Sequence, residues 1–245
     1  MGVPGPAKQA DGRRSVRDRT LETLRRRIIF LELPPGSSLS ENDLAAELEV
    51  SRTPVRESLI LLREEGLVQV FPQIGSFVSR VDPERVMQAQ FVREAIECSS
   101  LVEVTLPLAD EHEQALRDNL RRQRVADEAG DVNAFFELDE EFHRLLLRLA
   151  GHEPAWSAVN SAKAHLDRAR RLSLVTARPI GSLVEQHEAV VTSLAAGDVA
   201  GAVGRLRTHL RAVFEDVERI RDAHPGLFST GEDARPVRRS VATLG

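Results

Sequence analysis

The sequence predicts a mainly α-helical protein in two parts: a small N-terminal helical unit that ends in a β-hairpin, and a larger all-α antiparallel bundle. Apolar residues recur at helical spacing along most of the chain, whereas strand-like stretches occur only at 67–70 and 76–81. The charge supports the same division, because residues 1–80 carry 12 basic and 11 acidic side chains and residues 81–245 carry 21 and 27. The net charge of −5 is therefore the sum of a slightly positive N-terminal part and a negative C-terminal part. This difference in charge indicates that the two parts have different partners.

Composition excludes several functional classes. Cys98 is the single cysteine, which excludes a disulfide framework and a cysteine-rich zinc site and fits a reducing cytoplasm. No apolar run approaches the roughly 18 residues of a membrane span, and the N-terminus has no apolar signal core. We therefore expect a soluble, cytoplasmic protein that has no membrane partner.

The first two helices are predicted from their capping and turn residues. Residues 1–14 are rich in glycine, proline and polar side chains and are expected to form a disordered tail. Ser15 can cap a first helix, which ends before the Pro34-Pro35-Gly36 turn. Ser40 can cap a second, shorter helix.

A third helix and two strands complete the N-terminal unit, which spans residues 15–81. The helix begins at Ser51 or Thr53 and closes at Gly66, and the strands lie on either side of a turn that contains Gly75. Two helices, a turn, a third helix and a hairpin within about 65 residues are the plan of a winged helix-turn-helix, a motif that reads DNA.

The start of the third helix carries residues suited to DNA. Arg52 and Arg56 stand at i and i+4, so they share the helix face opposite the buried apolar stripe. Such a pair can reach guanine edges or grip phosphates. The hydroxyls of Ser51 and Thr53, together with the free amides of the helix start, suit a phosphate oxygen. The alternative is a solvated face on which both arginines pair with glutamates close in sequence.

The apolar pattern of residues 82–224 predicts a bundle of six antiparallel helices joined by short loops. Helical spacing covers 84–106, 111–129, 132–150, 154–175, 182–196 and 198–222, with breaks at proline or glycine. Residues 225–245 again contain proline and glycine and are expected to form a loose tail.

Four side chains of the bundle are candidate metal ligands. Asp139 and His143 stand at i and i+4 on one helix, His187 lies near the start of the fifth helix, and His209 lies well into the sixth. Adjacent antiparallel helices can bring them together. One carboxylate and three imidazoles suit a borderline divalent ion such as zinc, nickel or manganese, with coordination positions left open. On spacing alone, a structural role for each histidine remains the alternative.

The chain resembles the FadR-like branch of the GntR family of bacterial transcription regulators. In the N-terminal unit the residues that carry the resemblance are Leu33-Pro34-Pro35-Gly36-Ser37-Ser38-Leu39-Ser40-Glu41, Leu44-Ala45, Ser51 to Glu57, Glu65-Gly66-Leu67-Val68 and Gly75-Ser76-Phe77-Val78. In the bundle they are Leu138-Asp139-Glu140-Glu141-Phe142-His143, Glu185-Gln186-His187, Gly197-Asp198 to Ala202 and His209-Leu210, which are similar to the FCD ligand-binding domain.

For the DNA-binding unit, the resemblance implies contacts with double-stranded operator DNA. Arg52, Thr53 and Arg56 would touch the DNA, and Gly75 at the tip of the wing would enter the minor groove.

For the bundle, the resemblance implies a metal site and a small carboxylate effector. The aspartate and three histidines named above would hold the ion, with zinc favoured over nickel or manganese. Arg93 lies where members of the family often carry a ligand arginine. Arg168, Arg170 and Arg171 are further candidates to bind the effector, although any of these arginines could instead form surface ion pairs.

We therefore predict a ligand-responsive transcription regulator, a repressor that binds an inverted-repeat operator as a homodimer. The effector, of the sugar-acid or hydroxy-carboxylate class, would change DNA affinity by shifting the relative orientation of the winged domains. The alternative is a metal-dependent enzyme, because an open metal site beside an acid could activate water. Glu140 and His143 match half of a di-iron motif, but no other histidine has a glutamate three residues before it, and we predict that the protein is not an enzyme.

Overall fold

The structure is a computed structural model that describes residues 15–176 and 178–230. The predicted N-terminal tail at 1–14 and the last part of the predicted C-terminal tail, 231–245, lie outside the described residues. Within the described part the chain is mainly helical with one small antiparallel sheet, as the sequence predicts.

The helices and strands follow one another in the predicted order. The helices are α1 (Val16–Ile29), α2 (Glu41–Glu47), α3 (Arg52–Glu64), α4 (Pro83–Val102), α5 (Asp110–Glu128), α6 (Val132–Leu149), α7 (Trp156–Ala162), α8 (Ala164–Thr176), α9 (Ile180–Ala195) and α10 (Val199–Ala223). The strands are β1 (Ser38–Leu39), β2 (Val68–Phe71) and β3 (Gly75–Val78).

Serine caps start the first two helices, as predicted. Ser15 Oγ accepts a hydrogen bond from the Asp18 N–H at 3.0 Å, and Ser40 Oγ accepts one from the Asp43 N–H at 3.3 Å. Each serine satisfies a backbone donor that the first turn of its helix leaves without a partner. The three helices then enclose an apolar core whose members include Leu24, Ile28, Leu44, Val55, Leu59 and Leu62.

The wing contains one strand more than the sequence predicts. The sheet order is β1-β3-β2 with antiparallel pairing throughout, and Phe77 of β3 lies opposite Ser38 on one side and Gln69 on the other. β1 has only two residues, too few for an alternating pattern to reveal it. The turn of the hairpin needs Gly75, because its φ of 132° lies in a region that other residues rarely adopt.

The bundle differs from the predicted six helices in two places. The fourth predicted helix is divided at Lys163 into α7 and α8, and the first ends at Val102 rather than at 106. The largest core cluster lies between α4, α5, α6, α9 and α10; it includes Leu101, Leu116, Phe142, Leu146, Val190, Leu194 and Leu206. No helix in the described residues is long and apolar enough to span a membrane.

The start of the predicted loose tail is packed against the bundle. Phe228 is 2% exposed and belongs to an apolar cluster with Val81, Leu166 and Ile220. The Val81 N–H donates to Leu227 O, and the Ser229 N–H donates to Val81 O, both at 2.9 Å. The prediction of a loose segment is therefore wrong for residues 225–230, because a buried phenylalanine anchors them beside the connection between the two domains.

Replacing the anchor should destabilise the protein. Removing a buried phenylalanine side chain leaves a cavity, so we expect Phe228→Ala to lower the free energy of unfolding by about 3 kcal/mol. Chemical denaturation followed by circular dichroism measures this change. Val175→Ala is the control, because Val175 is 61% exposed and its loss should cost less than about 0.5 kcal/mol. Equal effects of the two substitutions would show that residues 225–230 do not stabilise the fold.

Candidate metal, effector and DNA-binding sites

The four predicted metal ligands meet inside the bundle. Asp139 and His143 project from α6, His187 from α9 and His209 from α10, and one ligand atom of each lies within 4.8 Å of the others. All four side chains are buried. The i, i+4 spacing places the first two on one face of α6, and the packing of α6, α9 and α10 supplies the other two.

The three imidazoles direct the same nitrogen toward the centre. His209 Nε2 lies 3.2 Å from His143 Nε2 and 3.2 Å from His187 Nε2. The Asp139 carboxylate completes the group, with Oδ2 at 3.8 Å from His143 Nε2 and Oδ1 at 3.7 Å from His187 Nε2.

Each outer nitrogen faces a hydrogen-bond acceptor on a neighbouring side chain. The Nδ1 pairs are His143 with Glu97 Oε2 at 2.6 Å, His187 with Gln123 Oε1 at 2.8 Å, and His209 with Gln186 Oε1 at 2.9 Å. A neutral imidazole carries one proton, and an acceptor opposite Nδ1 holds that proton on Nδ1. The three Nε2 lone pairs therefore point at one another.

A backbone carbonyl fixes the orientation of one of these acceptors. Leu138 O can only accept, so the Asn119 amide donates to it through Nδ2 at 3.1 Å. Asn119 Oδ1 then accepts from Gln123 Nε2 at 2.6 Å, which leaves Gln123 Oε1 facing His187. This series of hydrogen bonds determines the tautomer of His187, because it starts at the Leu138 carbonyl oxygen, which can only accept.

The charges of the group favour a cation over protons. Burial lowers the pKa of His187 to about 4 and lowers the pKa values of His143 and His209 well below 6.5. Burial alone would raise the pKa of Asp139, but the charges of Arg170, Arg93 and the neighbouring imidazoles together outweigh it and lower that pKa. Three inward lone pairs beside an ionised carboxylate are the donor set of a divalent metal ion.

Two predicted arginines lie beside this group. Arg93 on α4 is 2% exposed and donates through Nε to Glu97 Oε1 at 2.7 Å, while its buried Nη2 has no hydrogen-bond partner among the described residues. Arg170 on α8 donates to the Asp139 carboxylate and, at 2.6 Å, to Glu140 Oε1. An unsatisfied buried guanidinium nitrogen is costly, so Nη2 of Arg93 is a donor that a ligand could satisfy.

Both arginines line a pocket that adjoins the candidate metal ligands. The pocket holds about 440 Å³ of space not filled by atoms, part of which is open to solvent. Its lining is Arg93, Phe135, Asp139, Arg170, Ser173, Leu174, Arg178, Leu183, His209, Leu210, Ala212, Val213 and Asp216.

The predicted DNA-contacting residues lie together on the surface of the N-terminal domain. Arg52 and Arg56, at the start of α3, have side chains that are 59% and 61% exposed, and both pair with Glu41 of α2, at 3.2 and 2.9 Å. The partner is thus a residue of the preceding helix rather than a glutamate close in sequence. Exposed ion pairs contribute little, so both guanidiniums are available to phosphates and bases. The Ser51 side chain makes no capping hydrogen bond.

Comparison with known proteins identifies the family. Residues 17–78 match the model of the bacterial regulatory proteins of the gntR family, and residues 88–212 match the model of the FCD domain. The chain belongs to the GntR family. It carries the DNA-binding domain of that family, followed by an FCD domain.

The relatives of this GntR regulator are themselves transcription regulators. It is 54% identical over 233 residues to an HTH-type transcriptional regulator in an unstable DNA locus of Streptomyces ambofaciens, which covers 95% of this chain and 98% of the relative. It is 35% identical over 206 residues to the transcriptional repressor RspR of Escherichia coli K12, which covers 84% and 90%. These matches favour a DNA-binding regulator over the alternative of a metal-dependent enzyme.

Solved structures of low identity share the fold. Escherichia coli McbR/YncC superposes with a TM-score of 0.71 at 18% identity, over 84% of this chain and 99% of that one. A GntR transcriptional regulator from Rhodococcus sp. RHA1 superposes with a TM-score of 0.67 at 24% identity, over 82% of this chain and 97% of that one. They confirm a helix-turn-helix domain with a wing, joined to a helical bundle.

Arg168 lies outside the pocket of this GntR regulator, contrary to the expectation that it binds the effector. It is fully buried at the junction of the two domains, where Nη1 donates to Ser79 O at 2.5 Å and Nη2 donates to His165 Nδ1 at 3.0 Å. Two residues correspond to about 200° around a helix, so Arg168 and Arg170 point to different sides of α8. The sequence does not show which side faces the pocket.

The junction also holds His165 and Gly66. His165 Nδ1 accepts from the Asp82 N–H at 3.0 Å, and its Nε2–H donates to Gly66 O at 3.1 Å. Gly66 has a φ of 77°, and a Cβ there would collide with the Arg85 guanidinium. The sequence predicts Gly66 as a helix terminator, but it gives no sign that the end of α3 packs against the bundle. As a result α8 contacts both the DNA-binding domain and the candidate metal-binding group, which consists of Asp139, His143, His187 and His209.

Acid should weaken the junction through His165. Burial and the neighbouring Arg168 charge lower its pKa to about 3, whereas the unfolded chain binds this proton near pH 6.5. Below about pH 6.5 the unfolded state therefore binds more protons, and stability falls by up to about 1.4 kcal/mol per pH unit from this group. We expect His165→Asn to lower stability at neutral pH and to remove that share of the slope.

Urea unfolding at several pH values between about 7 and 5 measures how the free energy of unfolding depends on pH in the wild type and in His165→Asn. His112→Gln is the matched control, because His112 lies on α5 away from the junction. An unchanged slope in His165→Asn would contradict the account of a neutral, buried imidazole at the junction.

Proposed function

We propose that this GntR regulator is a cytoplasmic repressor that binds an inverted-repeat operator as a homodimer, and that a small carboxylate bound at a metal site changes its DNA affinity. The observation that carries the proposal is the convergence of three Nε2 lone pairs and the Asp139 carboxylate beside the unpartnered Nη2 of Arg93. A cation and an anion together would satisfy both features.

The metal would be held by His143, His187 and His209 through Nε2 and by Asp139 through its carboxylate. Three nitrogens and one oxygen favour zinc, with nickel or manganese as alternatives. When bound, the ion would supply open coordination positions for an oxyanion. Glu97 would orient the His143 ring and raise its basicity through Nδ1, as the two glutamines do for the other rings.

The effector would be a small carboxylate, with sugar acids and hydroxy-carboxylates as the expected classes. Arg93 can donate from its free Nη2 to an oxygen of that carboxylate. Arg170 now pairs with Asp139 and Glu140, and it could exchange part of this pairing for the ligand. Both guanidiniums lie on the wall of the pocket, which supports their role in binding.

Helix α8 is the route by which we expect the effector to act on DNA binding. Arg170 faces the metal-binding group, while His165 and Arg168 of the same helix hold Gly66 and Ser79 of the DNA-binding domain. An effector that moves Arg170 would move α8 and, with it, the end of α3. DNA affinity would change by the difference between the free energies with which the effector binds the two arrangements.

An exposed apolar stripe on α4 supports the homodimer. Met87, Phe91 and Val102 are 52%, 72% and 61% exposed. They lie near one face of the helix, because Phe91 follows Met87 by about one turn and Val102 follows Phe91 by about three turns. Such exposure is unusual for a helix that faces water alone. A second copy of the chain would cover this stripe and present two α3 helices to the half-sites of an inverted repeat. The relative named as the repressor RspR supports repression.

Loss of one imidazole should abolish metal binding. We expect protein reconstituted with zinc to hold about one ion per chain and His143→Ala to hold almost none in elemental analysis. His152→Ala is the matched control, since His152 contacts Ser100 and Glu103 outside the group. Wild-type protein stripped of metal should remain folded by circular dichroism but lose its operator response to the carboxylate. Full zinc content in His143→Ala would place the metal elsewhere.

Loss of one arginine of α3 should weaken operator binding. We expect Arg56→Ala to cost about 1–3 kcal/mol at fixed salt, measured on an operator selected from random sequence. Arg117→Ala is the control, because Arg117 is as exposed as Arg56 and also pairs with a glutamate, but lies on α5. The same titration should give two chains per operator. Wild-type affinity in Arg56→Ala would reject α3 as the recognition helix, and one chain per operator would reject the dimer.

A further inference from the structure

The pocket beside the metal ligands has a second polar end. Along α10 it is lined first by His209, then by Leu210 and Val213, and finally by Asp216. His209 and Asp216 are seven residues apart, which corresponds to about 10 Å along a helix. The metal-binding group therefore marks one end of the pocket, and Asp216 marks the other.

Asp216 has no capacity for a ligand. It is 2% exposed, and it accepts hydrogen bonds from Ser173 Oγ at 2.5 Å, from Arg178 Nε and Nη2 at 2.7 and 2.9 Å, and from Arg219 Nη2 at 2.7 Å. Four donors occupy the lone pairs of a carboxylate. Asp216 therefore acts on the pocket only by holding Arg178 in place.

Arg178 is the side chain that can donate a hydrogen bond to a ligand at this end. Its side chain is 15% exposed and lines the pocket. Nε and Nη2 are committed to Asp216 and Ala212 O, whereas Nη1 makes no hydrogen bond among the described residues. A guanidinium fixed by a carboxylate on one edge presents its remaining N–H groups with little loss of side-chain entropy. Such a group selects an acceptor, most strongly an anionic one.

The wall between the two ends is apolar. Leu174, Leu183, Leu210 and Val213 form it, together with Phe135. Hydroxyl groups along this wall would lose their hydrogen bonds to water without replacement, which is unfavourable. The middle of a well-matched ligand is therefore hydrocarbon.

We propose that the effector is a short aliphatic dicarboxylate, with one carboxylate at the metal-binding group and Arg93 and the other on Nη1 of Arg178. The inference rests on the proposed effector function and narrows it, because a polyhydroxylated sugar acid does not fit the apolar wall. Arg178 is then the residue that distinguishes diacids from monoacids.

Isothermal titration calorimetry on the zinc-loaded, full-length protein tests this inference. The ligands are succinate, glutarate and adipate, with butyrate and pentanoate as monoacids and gluconate as a polyhydroxylated acid, all at constant ionic strength. We expect one diacid to bind at least about tenfold more tightly than the monoacids and gluconate. Converting one carboxylate of that diacid to its amide should remove most of the advantage, and this comparison needs no altered protein.

A substitution then assigns the contact to Arg178. Arg178→Gln should weaken binding of the preferred diacid by about tenfold and leave the affinity for butyrate near that of the wild type. Arg205→Gln is the matched control, because Arg205 lies on α10 but donates to Ser193 outside the pocket. Circular dichroism and thermal melting confirm that each variant is folded.

The outcomes separate the inference from the function on which it rests. A monoacid or gluconate that binds as tightly as the best diacid, or a folded Arg178→Gln that binds the diacid as the wild type does, overturns the dicarboxylate inference and leaves the effector site intact. If no acid of the panel binds the zinc-loaded protein, the proposed effector function fails, and the inference fails with it.

Discussion

Three hydrogen bonds from the outer nitrogens of the buried histidines determine what the bundle can do. Each Nδ1–H donates to an acceptor from a neighbouring side chain, so that each Nε2 offers a lone pair to the same small volume. At 3.2 Å, two such lone pairs repel unless a cation lies between them. Burial keeps protons off these nitrogens by lowering the pKa values of the imidazoles. The arrangement of α6, α9 and α10 therefore favours a cation between these nitrogens.

Helix α8 connects the four candidate metal ligands to the DNA-binding domain. Its side facing the pocket carries Arg170, which pairs with Asp139, and its other side carries Arg168 and His165, which hold the junction. Both ends of the connection are buried and hydrogen-bonded, and such networks tend to occupy discrete arrangements rather than to deform gradually. Linkage requires that an effector that lowers DNA affinity should itself bind less tightly to the DNA complex.

Much of the fold and part of the site could be predicted from local chemistry. Ser15 and Ser40 cap their helices, and the i, i+4 spacing of Asp139 and His143 places them on one face. What the sequence could not show depends on tertiary packing. The orientation of α8 about its own axis places Arg170 toward the pocket and Arg168 toward the junction. The two-residue strand β1 forms by pairing with β3.

The remaining differences have the same origin. Glu41 meets the arginines of α3 only after α2 and α3 have packed together, and Phe228 is anchored by a cluster distant in sequence. The outer acceptors Glu97, Gln123 and Gln186 carry no spacing signal, since they belong to different helices and acquire their role from the fold. Sequence patterns therefore predicted the four candidate ligands that the fold brings together, but not the side chains that orient them.

X-ray absorption at the zinc edge determines whether the three imidazoles hold the metal ion. For protein reconstituted with zinc, we predict a shell of nitrogen and oxygen ligands at about 2.0–2.2 Å, with the multiple scattering of three imidazoles. A sulfur ligand at about 2.3 Å, which only Cys98 or a methionine could supply, would contradict the account. So would a spectrum with fewer than three imidazoles.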